Sequence, residues 1–340
     1  MKKTSIKDIA NEAKVSTATV SLVLSGKAGN GRVSEETAKR IKKLAQQMNY
    51  QPNYLAIGLK SGRSNTIGVL VSDISISFFA KLASYVQHEM EKYGYAVIIM
   101  NTDEDKARLE RMLYLLESRQ MDGYVVVPTD NSEGILRDFI SRNPRPFVLL
   151  DRTYPDLELA SVTIDNYKMA YLSTQSLINR HCKRLVMFTY DNDLSNLKER
   201  QRGFESAVGQ AGIANHCVIK TVTYKNLKTE VSQFIQENLS TNQFDGMFFA
   251  TNTIAFEAIK TLRYLNKEVG KDIYIASFDK NEAFDLMESF IPYVEQPLEE
   301  MGKTVAQLLH SQLEEHVRSS FRVELPARFV DSCKLEKETK

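Results

Sequence analysis
Long apolar runs are missing. No stretch of roughly 18 apolar residues occurs, so no transmembrane helix is expected. The amino terminus, MKKTSIKDIA, has Lys2 and Lys3 but no apolar segment behind them, and Asp8 and Glu12 follow at once. A secretory signal is therefore not expected, and the cytoplasm is the expected compartment. Cysteine is scarce: Cys182, Cys217 and Cys333 are odd in number, far apart and without a CxxC pair. Reduced thiols fit this better than disulfides or zinc ligands. Catalytic signatures are also lacking, with no GxSxG, HExxH or P-loop. His88, His181, His216, His310 and His316 are scattered along the chain. No enzyme, no metal and no cofactor is expected.

The near-neutral balance of +1 hides an uneven distribution. Residues 1–60 carry eleven Lys and Arg against four Asp and Glu, a net +7 that leaves −6 for the remainder. A basic head on a mildly acidic body points to a polyanion-binding module joined to something else. Ser5 is placed to cap a first helix, with Asp8 three positions on to return the bond. Ile6, Ile9, Ala10 and Ala13 form its apolar stripe. Ser16 then caps a second helix that buries Val20, Val23 and Leu24 and leaves Thr17, Ala18, Ser21 and Leu22 free. A third helix follows Ser34, with Ala38, Ile41, Leu44, Ala45 and Met48 inward. Two helices joined by a short turn and braced by a third describe a helix-turn-helix DNA reader, whose slim exposed side chains let the backbone approach base edges. Pro52 ends the third helix and Asn53 caps a segment of at most two turns, too short to be stable alone. KSGRSN (60–65) reads as a linker.

From residue 66 short apolar strands alternate with amphipathic helices, as in TIGVLVS, YAVIIMNT, GYVVVP, PFVLLDR, RLVMFTY, GMFFAT and YIASFD. This alternation predicts parallel sheets covered by helices, and nine or ten strands divide more naturally into two lobes than one. Ligands of such sheets bind beyond the carboxyl ends of the strands. That rule points to Asn101, Arg152, Asp165, Asn192 and Asn252, polar groups suited to sugar hydroxyls or a nucleobase.

SIKDIANEAKVSTATVSLVLSGK, VSEET, NYQPNYLA, GRSNTIGVLVSDIS, FFA, DGYVVVP, VLLDR, RQRGFESAV, IASFD and QPLEEMG, in this order, resemble the lactose-repressor/galactose-repressor family of bacterial transcription regulators. The resemblance implies an all-α helix-turn-helix headpiece and an α/β type I periplasmic-binding-protein-like body of two Rossmann-like lobes. The expected divisions are 1–51 for the headpiece, 52–65 for hinge helix and linker, 66–161 plus 294–324 for the first lobe, and 162–293 plus 325–340 for the second. It implies a homodimer on near-palindromic double-stranded operator DNA, with a small effector held between the lobes. A sugar or sugar derivative is the first expectation and a nucleobase the second. The DNA-contacting set extends to Asn53, Leu55, Ala56, Leu59 and Lys60, with Leu59 wedged into the minor groove. Arg200 and Asp279 fall at the family's effector-binding arginine and aspartate, and Phe78 and Phe79 at its first-lobe aromatics. ISISFF departs from the usual NPFF, Leu22 stands where many members have a guanine-reading arginine, and Lys14 replaces a glycine in the turn. The tail VDSCKLEKETK lacks leucine heptads, so no coiled-coil tetramer is expected. A solute-binding receptor without a regulatory role is the alternative; it requires an export signal and no basic head, the reverse of what this chain has.

Overall fold
The computed structural model describes residues 4–24, 33–50, 62–239 and 243–331. It divides into two compact units, Met1–Ser64 and Asn65–Lys340.

In the first unit α1 (Ile6–Ala13) opens with the expected capping box: the Ser5 side chain accepts from the Asp8 amide, and the Asp8 carboxylate accepts from the Ser5 amide at 2.8 Å. Lys14 ends the helix in the left-handed region at φ 53°, a conformation in which the family's glycine is unstrained and a lysine is not. After that turn comes α2 (Thr17–Leu24), and the Ser16 hydroxyl accepts from the Thr19 amide at 3.1 Å. The third helix, α3 (Glu35–Gln47), is capped by Ser34. Ile9, Ala10, Ala13, Val20, Val23, Ile41 and Ala45 form the core of this unit. Leu24 is only half-buried, against the expectation that it points fully inward.

The second unit contains two six-stranded sheets. The first comprises β1 (Thr66–Val71), β2 (Ala96–Asn101), β3 (Gly123–Val126), β4 (Phe147–Leu150), β5 (Ala160–Ile164) and β11 (Arg322–Leu325), ordered β11-β5-β4-β3-β1-β2 and parallel throughout. The second comprises β6 (Leu185–Tyr190), β7 (Val218–Val222), β8 (Gly246–Phe249), β9 (Tyr274–Phe278), β10 (Tyr293–Glu295) and β12 (Arg328–Val330), ordered β12-β10-β9-β8-β6-β7. Only β12 runs antiparallel to its neighbour. Strands buried on both faces, such as Gly246–Phe249, are the mark of sheets covered by helices. The chain passes between the sheets after Ile164, after Glu295 and after Leu325. These points lie one to three residues beyond the expected 161, 293 and 324, because ladder pairing, such as that of Leu325 with Ile164, continues to the strand ends.

Helices pack on the sheets as the apolar spacing requires. Those that shape the cleft are α4 (Ser77–Lys92) after β1, α7 (Asn166–Asn179) after β5, α8 (Ser195–Gln210) after β6 and α10 (Asn252–Tyr264) after β8. Helix α8 begins five residues before Arg200, since Asn196 and Leu197 are buried and nothing in LSNLKE breaks a helix. Its contact with α7 is close. A Cβ built on Gly203 would stand 2.3 Å from the Tyr167 carbonyl oxygen, so only glycine fits the crossing.

Candidate functional site
The strand ends of both sheets face a cleft lined from both lobes, with polar and charged groups among aromatic ones. Arg200 enters from the second turn of α8 and is 2% exposed. Its Nε donates to Asn166 Oδ1 at 2.9 Å and its Nη1 to the Ala250 carbonyl at 2.7 Å. The guanidinium carbon sits 3.4 Å from the centre of the Phe278 ring. Two engaged nitrogens and a stacked face fix the fork, and Nη2 has no hydrogen-bond partner among the described residues. Burial lowers the Arg200 pKa, and the carboxylates of Asp279 and Asp151 act against that shift.

Asp279 follows β9 at φ 67° and accepts from Gln296 Nε2 at 2.7 Å. Burial pushes its carboxyl up to about 6, against the opposing pull of Arg200. On the first-lobe wall Asp151, also left-handed at φ 68°, accepts from Asn196 Nδ2 at 3.1 Å. Its pKa is raised by burial in spite of Arg152 and Arg200. Arg152 donates through Nη1 to Glu104 Oε2 and to the Pro128 carbonyl, both at 2.9 Å, while Nη2 meets Glu104 Oε1 at 2.6 Å. Its Nε lies 3.4 Å from Asp151 Oδ2 without a hydrogen bond. Burial opposes the charge of Arg152, but the paired Glu104 outweighs it and raises the pKa. Glu104 also accepts from the Ser72 hydroxyl.

Aromatic faces complete the walls. Phe78 and Phe79 line the cleft with centroids 5.0 Å apart, edge to face. Phe79 is 6% exposed and serves the core as well. Tyr190 and Tyr224 stack at 3.7 Å across the ends of β6 and β7. Asn252 opens α10, lines the cleft and donates to the Lys280 carbonyl at 3.0 Å.

The structure therefore brings Phe78, Phe79, Arg152, Arg200, Asn252 and Asp279 to one cleft, and leaves three expected residues off its lining. Asn101 spends its side-chain oxygen on the Ile74 amide at 3.1 Å. Asp165 caps α7 through the Lys168 amide at 2.8 Å. Asn192 turns its oxygen to the Leu194 amide. Asp165 and Asn192 hold their own turns, whereas Asn101 ties down the loop that follows β1. Glu104, Asn196, Tyr224 and Gln296 line the cleft and were not anticipated. In the headpiece Thr17 and Ala18 are exposed, whereas Ser21 and Leu22, expected on the free side, are half-buried. Ser5 and Ser16 are engaged as helix caps. Asn53, Leu55, Ala56, Leu59 and Lys60 lie outside the described residues.

A caps-and-turn helical reader and a two-lobed cleft of strand ends define a class, the DNA-binding regulator governed by a small molecule. Residues 5–53 match the bacterial regulatory proteins of the lacI family, and residues 64–333 match the periplasmic binding proteins and sugar binding domain of LacI family. The chain belongs to the LacI family of transcriptional regulators, which are not enzymes. It is 32% identical over 310 residues to the HTH-type transcriptional regulator RegA of Clostridium saccharobutylicum, covering 90% of this chain and 91% of that one. It is 30% identical over 327 residues to the ribose operon repressor of Halalkalibacterium halodurans, covering 96% of each. The fold is also that of the lac repressor dimer bound to operator, with a TM-score of 0.84 at 18% identity over 97% of this chain and 98% of the other. Among the described residues no helix is long and apolar enough to cross a membrane, and no cluster of metal-ligating side chains is present.

Proposed function
We propose that this regulator is a cytoplasmic repressor that binds a near-palindromic operator as a homodimer and releases or grips it according to a sugar held between the lobes. The observation that carries the effector reading is the pairing of Arg200 and Asp279 in one buried cleft with Phe78 and Phe79 beside them. Arg200 Nη2 and the Asp279 carboxylate offer a donor and an acceptor to neighbouring hydroxyls, and the phenyl faces suit the apolar side of a sugar ring. The name of the ribose operon repressor supports the same class of ligand. Thr17, Ala18, Ser21 and Leu22 present the base-reading edge of α2, with Ser5 and Ser16 beside the phosphates. Asn53, Leu55, Ala56, Leu59 and Lys60 form the minor-groove element. Pairing through α4 and the segment 281–290 is supported by Leu286, which is 87% exposed.

Selection of the purified protein on randomised duplexes, with and without a panel of sugars and sugar derivatives, tests the proposal. Enrichment of a twofold-symmetric sequence, with retention altered by at least one of them, is the expected result. Binding that shows no sequence preference, or a sequence preference that no sugar or derivative alters, overturns it. A retained operator should lose affinity steeply with rising salt, as phosphate contacts release counterions.

A further inference from the structure
The charges of the cleft narrow the ligand further. Two arginines, Arg152 and Arg200, face three carboxylates, Glu104, Asp151 and Asp279. The charge of Arg152 is matched: Glu104 takes Nη1 and Nη2, the Pro128 carbonyl shares Nη1, and Nε, though without a hydrogen bond, is buried 3.4 Å from Asp151 Oδ2. Arg200 has one open nitrogen, Nη2, and it works in the field of Asp279 and Asp151. A phosphate or carboxylate on the ligand would find Arg152 already paired with Glu104 and Arg200 flanked by Asp279 and Asp151, in a wall where burial already disfavours the charged form of both aspartates. A hydroxyl meets the opposite situation. Each carboxylate keeps lone pairs for an O–H donor, and Arg200 Nη2 needs only a neutral acceptor.

We infer that the cleft takes an uncharged sugar and excludes its phosphorylated and acidic relatives, and that Glu104 is the residue that sets this selectivity by consuming Arg152. The inference rests on the reading of this cleft as the effector site. Glu104 holds its place from a left-handed turn, φ 54°, with the Ser72 hydroxyl as a second anchor. A first-lobe arginine at the mouth of a strand end is the natural seat for an anionic substituent, and here it is closed by a fixed internal anion. Replacing that anion by an amide of the same shape reopens it.

The test compares neutral aldopentoses and aldohexoses with their terminal phosphates and aldonates, by thermal shift and by calorimetry on the full-length protein. Wild type is expected to favour a neutral sugar over its charged counterparts by about tenfold or more in apparent affinity. Glu104→Gln is expected to lose that preference and to gain binding of the phosphate or aldonate, with native circular dichroism as its folding control. Wild-type binding of a sugar phosphate or aldonate as tight as, or tighter than, that of any neutral sugar overturns the inference while leaving the sugar-controlled regulator intact. Failure of every neutral and charged sugar overturns the effector reading itself. A folded Glu104→Gln protein as blind to the anions as wild type removes Glu104 from its assigned role. Should that variant not fold, the wild-type comparison alone decides.

Discussion

Gly203 joins the packing of the second lobe to the chemistry of the cleft. It lies one turn beyond Arg200 on α8, and an added Cβ would stand 2.3 Å from the Tyr167 carbonyl oxygen and 2.9 Å from both the Ala170 Cβ and the Tyr171 amide nitrogen. Two of these three neighbours are backbone of α7 and have no rotamer to yield. Restoring even a 3.0 Å contact with the oxygen requires α8 to retreat by about 0.7 Å. Overpacking of this kind costs about 1–3 kcal/mol, and the rigid neighbours put Gly203→Ala toward the upper end. The same retreat carries Arg200 away from Asn166, at the start of α7, and stretches a 2.9 Å bond toward 3.6 Å, the length at which it ceases to be one. Gly209, on the same helix, has nothing within 4 Å of its virtual Cβ. Gly209→Ala should stabilise by up to about 1 kcal/mol through helix propensity. Urea unfolding followed by circular dichroism should therefore place the two midpoints on opposite sides of wild type, and calorimetry should find weaker effector binding for Gly203→Ala alone. Coincident midpoints for the two variants would refute the close-packing account.

Further outcomes follow from the same geometry. The Asp279 carboxyl is raised from the ordinary 3.8 to about 6, so the folded state holds its proton more tightly than the unfolded state does. Its stabilising effect is complete below about pH 4 and is lost as pH rises through 6, so wild type should lose stability relative to Asp279→Asn across that window in urea titrations. Ser5→Ala removes the capping box of α1 and should cost the headpiece about 1 kcal/mol, read as a lower melting temperature of its helical signal. Leu22→Arg should change the base selected at one position of each operator half-site, since leucine makes only apolar contact with bases while arginine bonds guanine; identical selected sequences would contradict this.

The lobes were legible in the sequence because parallel sheets buried on both faces leave short, almost wholly apolar strands, and those runs alternate with helical spacing. Arg200 and Asp279 were legible through the motifs RQRGF and SFD. Asn101 and Asp165 satisfied the same strand-end rule yet serve the backbone. A polar side chain at a strand end is as well placed to cap the next turn as to meet a ligand, and periodicity does not separate the two uses. Glu104 was hidden for a related reason. It sits three residues past β2, in a pair of left-handed residues, Asp103 and Glu104, whose backbone conformation turns the side chain back into the cleft. Nothing local in NTDEDK announces that turn. Gln296 and Asn196 were hidden because each reaches the site through a tertiary partner, Asp279 and Asp151.

Those tertiary partners also explain how a ligand can be felt beyond the cleft. The first turn of α8 already binds the first lobe: the Thr153 amide donates to Ser195 Oγ at 3.1 Å and Asn196 donates to Asp151. Just before it, the Asp193 amide donates to Asp130 Oδ1 at 3.0 Å. Across the cleft Lys81 of α4 pairs with Glu282 at 3.3 Å. Arg200 stands one turn from Asn196 on the same rigid helix, so a ligand that bonds Arg200 acts on the element that sets the spacing of the lobes. Binding energy spent there must appear as a changed preference between lobe arrangements, and linkage requires that whatever favours one arrangement also favours the ligand that selects it. An Asn196→Ala variant, which removes the bond to Asp151 and leaves Arg200 in place, should thus alter effector affinity and the effector's influence on operator binding together. A change in one without the other would show that α8 does not carry the coupling.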